Sequence, residues 1–148
     1  MNSIMMNAKT KSARLKKGAI MKKLTKKYFI NAPLEQVYEA LTNPDVIEKW
    51  SGAPAIMEAK SGGVFSLWNS EVYGKNKQVH KNRITQEWLT DDWDAPSKVT
   101  LVLKKKGYST IIEIKHEDIP EYDYENIENS WDTYFMRPLQ KLLECEWV

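Results

Sequence analysis

The sequence predicts an α+β fold in which a curved antiparallel β-sheet wraps a long C-terminal helix. Most of residues 61–116 consists of short segments of alternating apolar and polar residues separated by turn residues, which is typical of hairpins and an antiparallel sheet. After Ile119-Pro120, apolar residues recur at three- and four-residue spacing from Ile127 to Leu143, which indicates an amphipathic helix. Because such an apolar stripe has to be buried, the concave face of the sheet is its expected partner.

The folded part is expected to begin with a strand and two short helices. Residues 22–31 place apolar residues among charged ones and predict the first strand. Pro33 suits the first turn of a helix, which we expect to run through Leu41. Asn43-Pro44 ends this helix and starts a second one through Trp50, because Asn caps helices and Pro is tolerated in their first turn.

Five further strands are predicted before the C-terminal helix. Tight turns are expected at residues 61–63, 69–70, 81–82 and 106–107, and a polar loop at residues 90–97. The order of one strand, two helices, a run of strands and a long helix is the helix-grip arrangement. Pro138 predicts a kink inside the last helix. The five strands are predicted at residues 64–68, 71–80, 83–89, 98–104 and 109–116.

Length and composition fit one domain preceded by a basic arm. The 148 residues are 28% charged and 42% hydrophobic, which suffices for one hydrophobic core. Nine of the 22 Lys and Arg residues lie within residues 1–27, which contain no acid, so the rest of the chain carries 13 basic against 20 acidic side chains. We predict a flexible arm at residues 1–20 and a domain at residues 21–148. A solvated tail is the simplest interpretation of the arm, while attraction to nucleic acid or an anionic membrane and an organellar targeting role stay open.

Composition also excludes several classes of protein. No apolar run approaches the ~20 residues of a membrane-spanning helix, and the N-terminus lacks the apolar centre of a secretory signal. Cys145 is the only cysteine and His80 and His116 are the only histidines, so neither an internal disulfide nor a zinc site is expected. Asp91-Asp92-x-Asp94 lacks the glycine and the distal glutamate of a calcium loop. We therefore expect a cytoplasmic protein without metal or cofactor.

A set of glycines, aromatic residues and strand residues carries a resemblance to a known family. In order and spacing, residues 23–143 resemble the C-terminal type of domain of the Activator of Hsp90 ATPase homologue family, within the START/Bet v 1-like (SRPBCC) superfamily. Ser130 departs from the glycine that the family often has before the tryptophan. The residues that carry the resemblance are Gly62-Gly63-x-Phe65, Gly74, Ile84-x-x-x-Trp88 with Trp93, Val99-Thr100-Leu101, Thr110-x-Ile112-x-Ile114, Ile119-Pro120, and Trp131-x-x-Tyr134-Phe135 with Leu139.

The resemblance implies two kinds of function. Members of the family are similar to co-chaperones that stimulate Hsp90, whereas single-domain relatives look more like hydrophobic-ligand or regulatory domains. The eukaryotic co-chaperone that names the family has a separate N-terminal domain for much of its hold on Hsp90. Before the domain of the present chain, we expect only the basic arm.

The candidate site is the space between the sheet and the C-terminal helix. Residues two apart along a strand share a face, so one face of each strand is expected to line this space. His116 and Gln86 are its polar candidates for a hydrogen bond to a ligand. The same residues would equally fill a solid core, because protein interiors pack closely. The predicted cavity-lining residues are Trp50, Phe65, Leu67, Ile84, Gln86, Trp88, Leu101, Ile112, Ile114, His116, Trp131 and Phe135.

No catalytic residues are predicted, because the sequence contains no Ser-x-x-Lys, Gly-x-Ser-x-Gly, phosphate loop, dinucleotide fingerprint or His-Glu-x-x-His motif. We expect a non-enzymatic, co-chaperone-like binding protein whose partner is an Hsp90-type chaperone. The alternatives are a carrier or sensor of a small apolar ligand, and a cyclase-like enzyme that uses His116 on an aromatic or polyketide-like substrate. A monomer without specific nucleic-acid binding is the expected state.

Overall fold

Seven antiparallel strands form one sheet, and a long terminal helix lies against it. The computed structural model describes residues 20–145, so the predicted arm lies outside the described residues except for Ile20. The strands are β1 (Met21–Ile30), β2 (Ile56–Met57), β3 (Val64–Leu67), β4 (Val72–His80), β5 (Arg83–Leu89), β6 (Ser97–Lys106) and β7 (Ser109–Pro120). The helices are α1 (Leu34–Thr42), α2 (Pro44–Ser51), α3 (Tyr124–Ser130) and α4 (Arg137–Cys145).

The terminal helix is built from three consecutive segments. A 3-10 turn (Glu121–Asp123) leads into α3, and a π-helical segment (Trp131–Met136) joins α3 to α4. We call Tyr124–Cys145 the terminal helix. The strand order is β1-β7-β6-β5-β4-β3-β2 with every neighbouring pair antiparallel. This confirms the predicted helix-grip fold.

The break between the two short helices occurs at Asn43-Pro44, as the sequence suggested. The side chain of Asn43 accepts a hydrogen bond of 2.9 Å from the Asp45 backbone N–H, and Pro44 occupies the first turn of α2. Gly52 ends α2 in the left-handed conformation at a φ of 75°, which glycine adopts without steric cost. Trp50, near the end of α2, is buried.

The strand register brings one apolar set onto the face that meets the terminal helix. In β6 and β7, Leu101 pairs with Ile114 and Val99 pairs with His116. Leu24 of β1 pairs with His116 from the other side. All five side chains are buried, and their neighbours in sequence point to the outer face of the sheet. The register therefore fixes which residues line the interior.

The observed bounds of β1, β3 and β4 differ from the predicted ones by one residue, and the other differences concern β2, β6 and β7. β2, which pairs with Phe65 and Ser66, is only two residues long and was not predicted. β6 begins at Ser97 instead of residue 98 and runs two residues further, to Lys106. β7 continues to Pro120, because β1 keeps pairing with it beyond a bulge between Lys22 and Leu24. Pairing with an extended neighbour thus overrides the local stop signal at Ile119-Pro120.

Pro138 is the second residue of α4, which follows the π-helical segment. The Arg137 N–H bonds to the Asp132 carbonyl, five residues earlier, so the wider turn precedes a residue that has no N–H to donate. The kink predicted from Pro138 stays a prediction, and the departure from α-helical geometry that the structure shows is the π-helical turn before this residue. This turn contributes Trp131 and Phe135 to the buried face of the helix.

Polar contacts fix the terminal helix across β1. Tyr28 Oη donates a hydrogen bond of 2.5 Å and Lys26 Nζ one of 2.9 Å to the two carboxylate oxygens of Asp132. Burial and this carboxylate raise the pKa of Tyr28, so the phenol keeps its proton. Further along the helix, Gln140 Nε2 donates to the Phe29 carbonyl at 2.8 Å. These bonds join β1 to two turns of the helix and hold the interior closed on this side.

Candidate functional site

Six aromatic side chains meet between the sheet and the terminal helix. Trp88 of β5 stacks on Trp131 of the helix with ring centroids 4.9 Å apart and an angle of 24° between the planes. Phe135 lies 4.7 Å from both Trp131 and Trp50. The contacts join α2, the sheet and the terminal helix into one packing unit. We call Trp50, Phe65, Trp68, Trp88, Trp131 and Phe135 the aromatic cluster.

His116 is fully buried beside this cluster and both of its ring nitrogens have partners. Trp131 Nε1 donates to His116 Nδ1 at 3.0 Å, and Ser97 Oγ lies 2.7 Å from His116 Nε2. Since Nδ1 accepts, the neutral ring carries its hydrogen on Nε2 and donates it to Ser97. Burial lowers the pKa of His116 to about 3. The imidazole is therefore neutral near pH 7, and its hydrogen-bonding capacity is used by the protein.

Gln86 likewise belongs to a chain of internal hydrogen bonds. Trp88 Nε1 donates to Gln86 Oε1 at 2.8 Å, and Gln86 Nε2 donates to Asn76 Oδ1 at 2.8 Å. Asn76 is fully buried, and its Nδ2 donates a hydrogen bond of 2.7 Å to the Glu58 carbonyl oxygen. The chain runs from the aromatic cluster to the turn before β3. Its polar atoms are thus paired within the protein, as buried amides require.

A second buried polar pair joins the loop after β5 to the start of the terminal helix. Trp93 Nε1 donates to Asp123 Oδ2 at 2.9 Å, and Asn126 Nδ2 donates to the other oxygen at 3.2 Å. Burial raises the pKa of Asp123 to about 6, although the two hydrogen bonds favour its charged form. This carboxyl therefore titrates near neutral pH in the folded protein.

Little space is left inside the domain. Around the aromatic cluster the gaps amount to about 140 Å³ and leave no room for a water molecule. Side chains lining the gaps come from β5, the turn after β3, and the terminal helix. The twelve predicted cavity-lining residues are all buried, at 5% exposure or less, and lie together between the sheet and the helices. Their ligand-binding role stays a prediction.

Several residues that organise this interior were not predicted as part of it. Ser97 could have been found, because it lies two residues before Val99 and so shares its face. Asn76 lies four residues after the buried Val72 and so shares its face, and the bulge between Asn76 and Gln78 interrupts the alternation only beyond it. Trp93 and Asp123 are 30 residues apart in the chain, and no local pattern relates them.

Among residues 20–145, no group of three or more His, Cys, Asp or Glu side chains is placed to hold a metal ion. Within the same residues, no helix has the length and apolar character needed to cross a membrane.

A curved antiparallel sheet closed by a terminal helix over an aromatic interior defines a START/Bet v 1-like domain. Residues 31–144 match the family described as Activator of Hsp90 ATPase homolog 1-like protein, and the chain belongs to this family. The resemblance inferred from the glycines and aromatic residues is thereby confirmed.

Curated relatives and solved structures agree with the family. The chain is 25% identical over 114 residues to Activator of 90 kDa heat shock protein ATPase homolog 2 of Mus musculus, covering 75% of this chain and 34% of that protein. It is 24% identical over 119 residues to homolog 1 of Homo sapiens, covering 78% and 35%. The chain thus spans about a third of the length of these relatives. The crystal structure of an HSP90 activator from Plasmodium falciparum superposes with a TM-score of 0.74 at 25% identity, covering 84% of this chain and 96% of that one.

Proposed function

We propose that this chain is a non-enzymatic binding domain that acts on an Hsp90-type chaperone in the manner of a co-chaperone. The family and the names of the relatives support this partner. In this proposal the domain works in the cytoplasm and stimulates the ATPase of the chaperone by contacting it.

The filled interior is the observation that carries the proposal. Ligand pockets typically measure about 300–1,000 Å³, whereas the gaps around the aromatic cluster are too small to admit a water molecule. A carrier would need this space for its cargo. Recognition of a partner protein needs only the exterior, which the rigid interior holds in shape.

The state of His116 supports a non-enzymatic function. A general base needs a nitrogen that can reach the substrate and a pKa near the working pH. Both ring nitrogens of His116 are bonded to Ser97 and Trp131, and its pKa is lowered to about 3. This histidine therefore fits a structural role in the polar part of the core.

The ATPase rate of the chaperone from the organism that encodes this chain tests the proposal. Adding the full chain at about 0.15 M salt, where attraction between exposed charges is screened, is expected to raise the rate severalfold and saturably. A variant with Lys9, Lys11, Arg14, Lys16 and Lys17 replaced by Ser serves as the matched control, because it removes non-specific attraction by the basic arm. Equal stimulation by this variant is expected. No binding and no change in rate at high micromolar concentration would refute the proposal.

A further inference from the structure

Two adjoining concavities lie on the outer face of the sheet, the side turned away from the terminal helix. One measures about 480 Å³ and the other about 500 Å³, and Arg83 and Lys98 line both of them. Between these two cations, Thr85 of β5 and Thr100 of β6 lie directly opposite each other. The small threonines form a floor between long charged side chains. We call Arg83, Thr85, Lys98 and Thr100 the outer groove.

Four lysines around the outer groove form ion pairs with carboxylates. Glu113 lies 3.6 Å from Lys27 and 3.1 Å from Lys104. The other two ion pairs, Lys115 with Glu117 and Lys77 with Glu87, each have a distance of 3.8 Å. The four lysines of the rim therefore share three carboxylates.

The two cations of the groove itself differ from those on its rim. Within the described chain, neither Arg83 nor Lys98 has a carboxylate oxygen within 4.0 Å. Glu87 and Glu117 stand beside Lys98 in the strand register, but their carboxylates are engaged with Lys77 and Lys115. Among the described residues, Arg83 and Lys98 thus form no close ion pair, and Glu87 and Glu117 are the acidic residues that face Lys98 across the strands.

The strand register gives the spacing of these charges. Arg83 lies opposite Val102 and Lys98 lies opposite Glu87, so the two cations are four residues apart along the strand direction, with the threonine pair halfway. At about 3.3 Å per residue, that is roughly 13 Å. An extended peptide with acidic residues at alternate positions presents carboxylates on one side about 6.7 Å apart. Three such carboxylates match Arg83, the threonine hydroxyls and Lys98 in turn.

We propose that the outer groove binds an extended acidic segment of the partner protein. This proposal rests on one part of the function proposed above, namely that the domain binds a partner protein. A nucleic acid fits less well, because the groove offers only two cations, four residues apart along the strand direction, whereas nucleic-acid binding relies on many contacts between basic side chains and successive phosphates.

The test is an NMR titration of the full, isotope-labelled chain with two capped peptides of equal composition. One has three glutamates at alternate positions among threonines, and the other has the three glutamates in succession. The alternating peptide is expected to shift the backbone signals of residues 83–87 and 98–102, and to bind more tightly than the other peptide. The double variant Arg83→Glu, Lys98→Glu is expected to weaken binding by about tenfold or more, since each reversal replaces an attraction by a repulsion. Lys60→Glu, Lys141→Glu changes the same net charge on exposed residues outside the groove and is expected to leave binding unchanged.

Three results would overturn the groove assignment: signal shifts confined to residues 1–19, equal affinity for the two peptides, or equal binding by the charge-reversed and control variants. Tighter binding of a single-stranded DNA 12-mer in the groove would overturn the acidic peptide as its occupant. The ATPase assay is read separately. Failure of the alternating peptide to bind refutes the groove, whereas failure to stimulate the chaperone refutes the proposed function.

Discussion

Acidification tests the neutral, hydrogen-bonded state of His116. Its ordinary pKa is 6.5, and burial lowers the pKa to about 3 in the folded protein. Between these values the unfolded chain binds a proton that the folded protein does not. The contribution of His116 to stability is therefore complete above pH 6.5 and is lost as the pH falls toward 3. From pH 7.5 to pH 5.0 this loss in the free energy of unfolding is about 2 kcal/mol.

Asp123 acts in the opposite direction over the same range. Its pKa is raised from 3.8 to about 6 by burial, so the folded protein holds a proton that the unfolded chain releases. Stability associated with Asp123 therefore falls as the pH rises through 6, and it increases on acidification from pH 7.5 to pH 5.0 by about 1.4 kcal/mol. The two residues partly cancel in the unsubstituted protein.

Substitutions separate the two effects. Asp123→Asn removes the opposing carboxyl, so its free energy of unfolding is expected to drop by about 1.4 kcal/mol more than that of the unsubstituted protein on going from pH 7.5 to pH 5.0. His116→Asn removes the imidazole while its amide oxygen can still accept from Trp131. Its drop is expected to be smaller by about 2 kcal/mol.

Urea unfolding followed by tryptophan fluorescence at both pH values measures these differences. Other titrating groups are common to the three proteins, so they cancel in the comparison between variants. The same pH response in the unsubstituted protein and in His116→Asn would refute the assignment of a buried neutral histidine. An unchanged response in Asp123→Asn would refute the raised pKa of that carboxyl.

Two further substitutions probe the sheet and the closure of the terminal helix. Gly74→Ala is expected to destabilise the protein by about 3 kcal/mol, because a Cβ there would lie 1.8 Å from the Glu87 carbonyl oxygen of the neighbouring strand; thermal unfolding with an unchanged midpoint would contradict this close approach. Asp132→Asn removes the charge that Lys26 and Tyr28 share, and the cost is expected to be about 1 kcal/mol because the carboxylate is partly exposed. A double-mutant cycle with Tyr28→Phe should show coupling between Tyr28 and Asp132. Strictly additive losses would argue against the hydrogen bond between these two residues.

Local signals in the sequence identified the elements that depend on local chemistry. Asn43-Pro44 predicts the break between α1 and α2, and the structure shows the side chain of Asn43 capping α2. Alternation in residues 109–116 correctly placed Ile112, Ile114 and His116 on one face. The two-residue β2 and the extension of β7 to Pro120 were missed, because both depend on pairing with a strand that is distant in sequence.

The candidate site was predictable as a set of residues and not as a shape. Periodicity alone brings the buried residues to the interior, since the side-chain period of a strand is two and that of a helix is 3.6. Whether the interior is hollow depends on how the rings of Trp88, Trp131 and Phe135 pack together. It also depends on Trp50, which belongs to α2 and packs against Phe135. The packing of these rings leaves gaps that are too small for a water molecule. The spacing of residues within one segment contains no information about how these rings pack.

The sequence by itself determined the order of all elements except β2 and the sharing of faces, because these follow from turn residues, capping and periodic burial. It also carried the resemblance to the family. Tertiary structure decided the partners of the buried polar atoms: Trp131 and Ser97 for His116, Asn76 for Gln86, and Trp93 for Asp123. It also decided which surface cations stay without a carboxylate. The physical reason is that hydrogen bonds and ion pairs act over about 3–4 Å, and only the folded chain brings residues from distant segments that close.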